Sequence, residues 1–332
     1  MSMVKRVTQA ADTLQQHHTW VAFPIAVWKK FGDDEAGNLA ALIAYYAFFA
    51  IFPLLLVLVT VLDIVLKNHP SLRESLLNSA LSQYPVIGTQ LGHNIGPLQQ
   101  SGLTLVIGLV GTFIGARGVA SAMQNALNSA WEIPIVNRPG FPWSWLRSFG
   151  LILVVGLGLI GTTTLSVLAG GAGRVLPGAG GTVAALAVSL ILNFGVFWLA
   201  FRLGVAGSIG WRQLWLGAVI GAVIWQILQA VGGYFVSHQL AHASPTYGTF
   251  AVVIGLLAWL YLQAELTLYA VEINVVKEYR LWPRSIAPPP YTEPDRRSYQ
   301  LYADATRRGK GMDIVVDATA AGGEDHPQEA SS

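Results

Sequence analysis

Long stretches without a charged residue alternate along this chain with short polar segments. A helix needs about 20 apolar residues to cross a hydrocarbon core of about 30 Å. The region 213–264 carries no charge but is too long for one span, and it breaks at Gly232 and Gly233 and again before Pro245. The pattern predicts an all-α, polytopic bundle of six transmembrane helices, at about 39–62, 102–125, 148–170, 181–201, 213–232 and 248–274.

The composition excludes an ordinary soluble protein. Of the 332 residues, 53% are hydrophobic and only 11% are charged, whereas soluble domains are about 25% charged. The formal net charge of +2 gives no general attraction to nucleic acid. The absence of cysteine excludes disulfides, thiolate chemistry and Cys-ligated metal.

The distribution of lysine and arginine predicts the orientation. With the N-terminus inside, sixteen of the 20 Lys and Arg residues lie in the termini and inner loops, three lie on the opposite side, and Arg117 lies within a span. Because basic residues accumulate on the cytoplasmic side, we expect both termini to be cytoplasmic.

The segment 1–35 lacks the continuous apolar core of a cleavable signal peptide. Its aromatic residues alternate with lysines: Trp20, Phe23, Trp28, Lys29, Lys30 and Phe31. This pattern predicts an interfacial helix on the cytoplasmic leaflet, and a short linker with aromatic anchors is the alternative.

The membrane domain is expected to cover 36–280 and a disordered cytoplasmic tail to cover 281–332. The tail contains Pro288, Pro289 and Pro290, followed by a mostly polar segment. The longest external loop, at about 67–101, has apolar residues at helical spacing and predicts amphipathic helical structure on the outer face.

Charged residues inside the spans are the strongest candidates for function, because a charge near the bilayer centre costs at least about 2.5 kcal/mol. Three occur: Arg117 in the second span, and Glu265 and Glu272 in the sixth. Helical rise places Arg117 and Glu265 at comparable depth. We hypothesise that Arg117 pairs with Glu265 or Glu272 inside the bundle. The alternative is that Arg117 and Glu272 both extend to the inner headgroups.

Uncharged polar residues also lie in or beside these helices. Asn125, Asn128, Gln226 and Asn274 are expected mainly to bond neighbouring helices, and some of them to line a polar cavity with Arg117. Pro53 removes a backbone hydrogen bond within the first span and predicts a kink. Gly111-x-x-x-Gly115 and Gly217-x-x-x-Gly221 are pairs of small residues that favour close helix packing.

No motif of an enzyme is visible. His238 and His242 have the spacing of two metal ligands on one helix face, but no carboxylate or thiolate accompanies them. The sequence has neither a nucleophile elbow nor a phosphate-binding loop. We therefore predict no catalytic residues, no metal and no cofactor.

Two segments together resemble the YihY/BrkB family of bacterial inner-membrane proteins. Residues 41–55 read ALIAYYAFFAIFPLL and contain Tyr45, Tyr46 and Pro53. The second segment contains Tyr247, Gly248 and, further on, Trp259. Residues 125–131 are similar to the segment after the family's second span. The family motif Gly-Ala-Glu, with Asn two residues on, corresponds here to residues 270–274, where Glu272 and Asn274 are retained.

The resemblance implies a six-helix domain in the bacterial inner membrane with both ends cytoplasmic. Since Glu265 falls outside the family motif, the resemblance favours Glu272 as the partner of Arg117. The resemblance implies a link to envelope lipid transport but does not settle the function. The intramembrane charge and the outer amphipathic loop favour a transporter or lipid translocator for an anionic lipid or small molecule. The other hypotheses are an envelope-stability scaffold without transport and a tRNA-processing ribonuclease. The last follows an old label, ribonuclease BN, which is widely regarded as mistaken. The sequence does not support it, because no basic groove for nucleic acid is visible.

Overall fold

The structure, a computed structural model, describes residues 12–13, 15–16, 18–65, 68, 71, 102–172, 179–207, 209–239, 248–286, 288 and 291–309. These residues form helices and connecting turns and contain no strand. Eight α-helices occur among them: α1 (Thr19–Asp33), α2 (Ala36–Val65), α3 (Gly102–Ala130), α4 (Trp143–Ala172), α5 (Ala179–Gly204), α6 (Trp211–Gln239), α7 (Gly248–Tyr279) and α8 (Glu293–Ala305). Outside the described residues lie the predicted external loop at 67–101 (apart from Asn68 and Ser71), His242, Tyr247 and the tail beyond 309.

Helices α2 to α7 are each long and apolar enough to cross a membrane. The qualifying segments are Ala36–Leu54, Val106–Ala130, Trp143–Thr162, Val183–Gly204, Trp211–Gly232 and Val253–Tyr279. Each segment overlaps one predicted span, so the prediction of an all-α bundle with six transmembrane helices is confirmed. The helices themselves run further than the spans, and α7 has 32 residues, which is about 48 Å at 1.5 Å per residue.

The six long helices form a closed ring in chain order. Each packs against the next along the chain, and α7 returns to contact α2. Helix α7 also contacts α1 and α3, and α3 also contacts α5, so α3 and α7 have the most helical neighbours. Large apolar side chains are exposed on the ring, among them Ile107, Ile114, Leu157, Ile191 and Ile254. An apolar exposed surface of this extent is typical of helices that face lipid.

Glycines allow the closest of these helix contacts. A Cβ atom added to Gly115 of α3 would lie 2.7 Å from the Cβ of Ala50 in α2. A Cβ added to Gly217 of α6 would lie 2.2 Å from the carbonyl oxygen of Ala270 in α7. Both glycines belong to the predicted pairs of small residues, so their packing role is confirmed. Helix α2 continues as one helix through Pro53, whose ring packs against α3.

Helices α1 and α8 lie together at one end of the ring, which we call the α1/α8 end. Helix α1 contacts α2 and α7, buries Ala26 and Phe31, and exposes Trp20 and Trp28. Trp143, at the start of α4, is exposed as well. Exposed tryptophans of this kind are typical of the membrane–water interface. Within the predicted N-terminal segment, residues 19–33 thus form a helix rather than an irregular linker.

Part of the segment expected to be disordered is ordered. Thr292 and Asp295 form a capping box at the start of α8, in which each side chain accepts a hydrogen bond from the other residue's backbone N–H. Arg284, Ser285 and Asp295 are fully buried. Composition alone missed this order, because the partners that bury these polar residues lie in and before α1, more than 250 positions earlier.

Candidate functional site: a lateral groove at Arg117 and a buried charge cluster

Arg117 lies near the middle of the span Val106–Ala130, on the side of α3 that faces α4. Helical rise places it about 16 to 20 Å from either end of that span. Its guanidinium carbon lies 4.1 Å from the centroid of the Trp145 ring. This cation–π contact contributes about 0.5 to 2 kcal/mol, which offsets only part of the cost of a charge at this depth.

A groove of about 520 Å³ surrounds this guanidinium between α2, α3 and α4. Three polar side chains of its lining, Arg117, Ser121 and Asn125, follow each other at intervals of four residues. This spacing places them on one face of α3, as a polar stripe about 12 Å long. At its end, Arg138 Nη1 donates a hydrogen bond to Asn125 Oδ1 at 2.9 Å. Ser121 is not among the residues predicted from the sequence, although its distance of four residues from both Arg117 and Asn125 indicates a shared face.

Apolar side chains form the remaining wall of the groove. Leu42 of α2 and Phe113 and Ile114 of α3 line it, and all three are exposed on the outer surface of the ring. Tyr46 also lines the groove and packs against Gly118, where an added Cβ would lie 2.5 Å from the tyrosine ring. The groove therefore connects the polar stripe with the surface that faces lipid.

The predicted pair of Arg117 with Glu265 or Glu272 is not formed. Among the described residues Arg117 makes no ion pair, and Glu272 Oε2 lies 3.8 Å from the Nζ atom of Lys30. Glu265 is half-buried on α7. The pair does not form because the two side chains lie in different parts of the bundle. Glu272 lies about 10 Å from the C-terminal end of α7, near the end of the bundle that α1 covers. Arg117 lies at mid-span and faces α4.

A buried cluster of four ionisable side chains lies at the α1/α8 end: Lys30, Asp34, Glu132 and Glu272. Lys30 Nζ donates hydrogen bonds to Asp34 Oδ2, to Glu132 Oε1 at 2.8 Å and to the Ala130 carbonyl oxygen at 3.2 Å. The side chains of Lys30 and Glu272 are fully buried, and those of Asp34 and Glu132 are 3% and 7% exposed. The cluster joins α1, the α1–α2 turn, the end of α3 and α7.

Two tight turns bring the acidic residues to Lys30. Glu35 after α1 and Glu132 after α3 both have a φ of 50°, in the left-handed region that commonly ends helices. Few residues other than glycine adopt this region. The turn at Glu35 follows Asp34 directly, and the turn at Glu132 points its carboxylate back toward α1.

Burial changes the protonation of this cluster. It raises the pKa of Asp34 to about 8, with the nearby Glu272 adding to the shift and Lys30 opposing it. Burial likewise raises the pKa of Glu132 to about 7, against the effect of Lys30. Burial disfavours the charged form of Lys30, but the carboxylates of Glu272, Asp34 and Glu132 together raise its pKa. At neutral pH the ammonium is therefore charged, and the carboxyl groups are not all ionised.

A second buried network fixes α8 to α1. Arg284 Nε donates to Asp295 Oδ1 at 2.9 Å, and Arg284 Nη1 donates to Asp33 Oδ2 at 2.7 Å. Lys29 Nζ also donates to Asp295 Oδ1, at 3.0 Å. Although burial alone would raise it, hydrogen bonds from the Ser285 N–H, from Arg284 and from other donors lower the pKa of Asp295 to about 2. Asp295 is therefore ionised at neutral pH, in contrast to Asp34 in the cluster at Lys30.

Three further predicted polar residues bond neighbouring helices. Asn128 Oδ1 accepts a hydrogen bond from a backbone N–H just after α5 at 2.7 Å. Asn274 Oδ1 accepts one from the Gly217 N–H of α6 at 2.7 Å. Gln226 Oε1 accepts one from Asn193 Nδ2 at 3.3 Å. These bonds agree with the main role expected for such residues, and substrate binding by them stays a prediction.

The residues of the family motif have separate environments. Tyr45 is exposed on α2, with its ring centroid 5.6 Å from that of Tyr46. Trp259 is buried between helices beside Leu256. Gly248 is the first residue of α7.

Six long apolar helices in a closed ring, with buried ionic networks at one end, define a polytopic α-helical membrane protein. The chain belongs to the family described as Virulence factor BrkB, whose model matches residues 27–291. The resemblance seen in the sequence is thereby confirmed, and the matched region includes α2 to α7 as well as the end of α1.

Named relatives are membrane proteins of bacteria. The chain is 25% identical over 302 residues to the inner membrane protein YhjD of Escherichia coli (strain K12), a match that covers 85% of this chain and 88% of that protein. A UPF0761 membrane protein of Ralstonia nicotianae is 29% identical over 188 residues, or 55% of this chain and 40% of that protein. One of Psychrobacter sp. (strain PRwf-1) is 27% identical over 270 residues, or 77% of this chain and 48% of that protein. The chain thus spans less than half the length of these two UPF0761 relatives. No solved structure matches the chain.

Proposed function

We propose that this protein is a transporter of the bacterial inner membrane that moves an anionic lipid along the groove at Arg117. One observation carries the proposal: a guanidinium at mid-span, in a groove open to lipid, makes no ion pair among the described residues. In this proposal both termini are cytoplasmic, the role is not enzymatic, and no cofactor takes part.

The chemistry of the groove suits a phosphate headgroup. A guanidinium presents a fixed fork of N–H donors that matches phosphate oxygens, and Ser121 and Asn125 add polar groups along the same face. The stripe from Arg117 to Asn125 covers about 12 Å, close to half of a hydrocarbon core of about 30 Å. A headgroup following the stripe would remain in contact with polar groups while its acyl chains pass the exposed Leu42 and Ile114.

A scaffold without transport is the second candidate, and tight packing favours it. The close approaches at Gly115 and Gly217 leave no room for a side chain between the helices concerned. The Lys30 and Arg284 networks also fix the α1/α8 end in one arrangement. A rigid bundle of this kind supports an envelope without moving a substrate.

Liposome reconstitution separates these two functions. We would incorporate the purified full-length protein into liposomes with fluorescent phosphatidylglycerol or phosphatidylcholine, and follow headgroup accessibility to a membrane-impermeant reductant. The wild type is expected to move the anionic lipid faster than the zwitterionic one. Arg117→Ala is expected to slow this movement tenfold or more, because a hydrogen-bonded charge contributes about 1.5 to 3 kcal/mol. Arg117→Lys, which keeps the charge but loses the fork, is expected to be intermediate.

Arg202→Ala is the matched control, because Arg202 also lies over a tryptophan ring, 5.8 Å from the centroid of Trp211, but outside the groove. It is expected to leave the rate unchanged. A wild type that moves neither lipid would favour the scaffold. Equal rates for Arg117→Ala and the wild type would overturn the role of the groove.

A further inference from the structure

The Glu272 carboxylate is fully buried, and neither oxygen accepts a hydrogen bond from an N–H or hydroxyl group of the described residues. The neighbouring cation, Lys30, is 3.8 Å away. An ammonium has three donors, and those of Lys30 are directed at Asp34, Glu132 and the Ala130 carbonyl oxygen. No donor of Lys30 is therefore left for Glu272.

Asp34 Oδ2 accepts a hydrogen bond from Lys30 Nζ, and Glu272 Oε2 lies 3.8 Å from the same nitrogen, so the two carboxyl groups lie close together around one atom. Two ionised carboxylates can only accept hydrogen bonds, so a bond between them requires a proton. The charge balance leads to the same conclusion, because three carboxylates around one ammonium would leave two uncompensated negative charges in a buried site. Like charges this close do not both ionise at neutral pH.

Titratable groups from each surrounding element face this cluster: Lys30 and Asp33 on α1, Glu132 after α3, Tyr279 on α7 and Tyr302 on α8. Of these groups only Lys30 carries a positive charge. The nearby Arg284 of the second network donates to Asp33 and to Asp295 instead. A bound proton is thus the remaining way to compensate the negative charge of Asp34 and Glu272.

We propose that Asp34 and Glu272 form a proton-binding site, in which one proton is shared between their carboxyl groups and is held at neutral pH. The site connects the α1–α2 turn to α7, so the bound proton holds two elements together. Loss of the proton would place two carboxylates side by side with no donor between them. This inference goes beyond the proposed transport and does not depend on it.

The electrostatics of Asp34 agree with this site. Its side chain is 3% exposed, and burial together with the neighbouring Glu272 raises its pKa to about 8. Glu132, on the other side of Lys30, accepts a hydrogen bond from the ammonium at 2.8 Å and already has a donor. The shared proton is therefore assigned to the Asp34–Glu272 pair rather than to Glu132.

Infrared difference spectroscopy tests the site directly. The full-length protein in lipid nanodiscs is titrated from about pH 5 to about pH 9, while the C=O stretch of protonated carboxyl groups is recorded. Ordinary carboxyl groups lose this signal near about pH 4. The wild type is expected to retain one protonated carboxyl at about pH 7, a shift of about three units from ordinary aspartate. In a Glu132→Gln background, which removes the neighbouring carboxyl whose pKa is raised to about 7, Asp34→Asn and Glu272→Gln are each expected to remove that signal.

Glu265→Gln is the control, because Glu265 lies on the same helix, two turns from Glu272, and outside the cluster. It is expected to leave the signal unchanged. If Glu272→Gln fails to fold, the wild-type titration and Asp34→Asn still decide the question. A wild type without a protonated carboxyl at about pH 7, or a signal that persists when Asp34→Asn is combined with Glu132→Gln, would overturn the proposal.

Discussion

Replacement of Lys30 by methionine removes the cation of the buried cluster without leaving a large cavity. Methionine has nearly the length of lysine but no charge, and the Lys30 side chain is fully buried. The substitution leaves Asp34, Glu132 and Glu272 without their common positive neighbour. We expect the free energy of unfolding at neutral pH to fall by about 3 to 5 kcal/mol, as is usual when one partner of a buried ion pair is removed.

The hydrogen bonds of Lys30 support this magnitude. Its ammonium donates to two carboxylates and one carbonyl oxygen, and each bond to a charged group contributes about 1.5 to 3 kcal/mol. Proton uptake by the carboxyl groups recovers part of the loss, at about 1.4 kcal/mol for each unit of pKa change. Because protonation is easier in acid, we expect the defect to be smaller at about pH 5 than at about pH 8.

Denaturant unfolding in detergent micelles at these two pH values, followed by tryptophan fluorescence, measures the effect. Lys277→Met is the control, because Lys277 is exposed near the end of α7, over the Trp215 ring at 5.1 Å. Its removal is expected to cost less than about 1 kcal/mol. The reasoning is refuted if Lys30→Met and Lys277→Met lose equal stability, or if the Lys30→Met defect does not change with pH.

Two further predictions concern helix packing and pH. Gly217→Ala is expected to lower the free energy of unfolding by about 1 to 3 kcal/mol, because the new Cβ would lie 2.2 Å from a backbone oxygen of α7. Gly156→Ala is the control, since its Cβ meets nothing within 4 Å, and it is expected to be neutral or slightly stabilising. Thermal unfolding compares the two variants, and equal midpoints would contradict the close approach at Gly217. Wild-type stability is expected to fall between about pH 4 and about pH 8, by about 1.4 kcal/mol per pH unit for each retained proton. The reason is that folded Asp34 and Glu132, with pKa values raised to about 8 and about 7, keep protons that the unfolded chain releases. Asp295, whose pKa is lowered to about 2, changes the stability only below this pH range. Free energies of unfolding measured at several pH values test the trend, and a stability that rises across the range would contradict it.

The six spans could be predicted because the bilayer itself fixes the length of an apolar helix. The glycine contacts were also predictable, since small residues four apart mark a face that another helix can approach. The groove was predictable in part: Arg117 and Asn125 were identified from charge and polarity. That their face looks toward α4 and lipid depends on how α3 is rotated in the ring, which hydropathy does not determine.

The cluster at Lys30 could not be read from the sequence. Its members lie at positions 30, 34, 132 and 272, and they meet only because α1 folds back over the ends of α3 and α7. Lys30 is preceded by Trp28 and Lys29, a pattern of interfacial anchors that gives no sign of burial. The one available signal was Glu272, whose position within a span implied a partner that the sequence did not identify.

Glu272 and Arg117 are both ionisable residues within spans, but they differ in whether the described part of the chain supplies a counter-ion. This difference favours a structural role for Glu272 and ligand binding for Arg117. Glu272 meets both a cation and a second carboxyl group of its own chain, so its charge is compensated within the fold. Among the described residues, the partner of the Arg117 guanidinium is the face of Trp145, which offsets part of a cost of at least about 2.5 kcal/mol. A residue kept at mid-span at a net cost to stability requires a gain elsewhere. In the proposed transport function, an anionic headgroup in the groove would supply that gain, because it would provide the negative charge that no described carboxylate offers to Arg117.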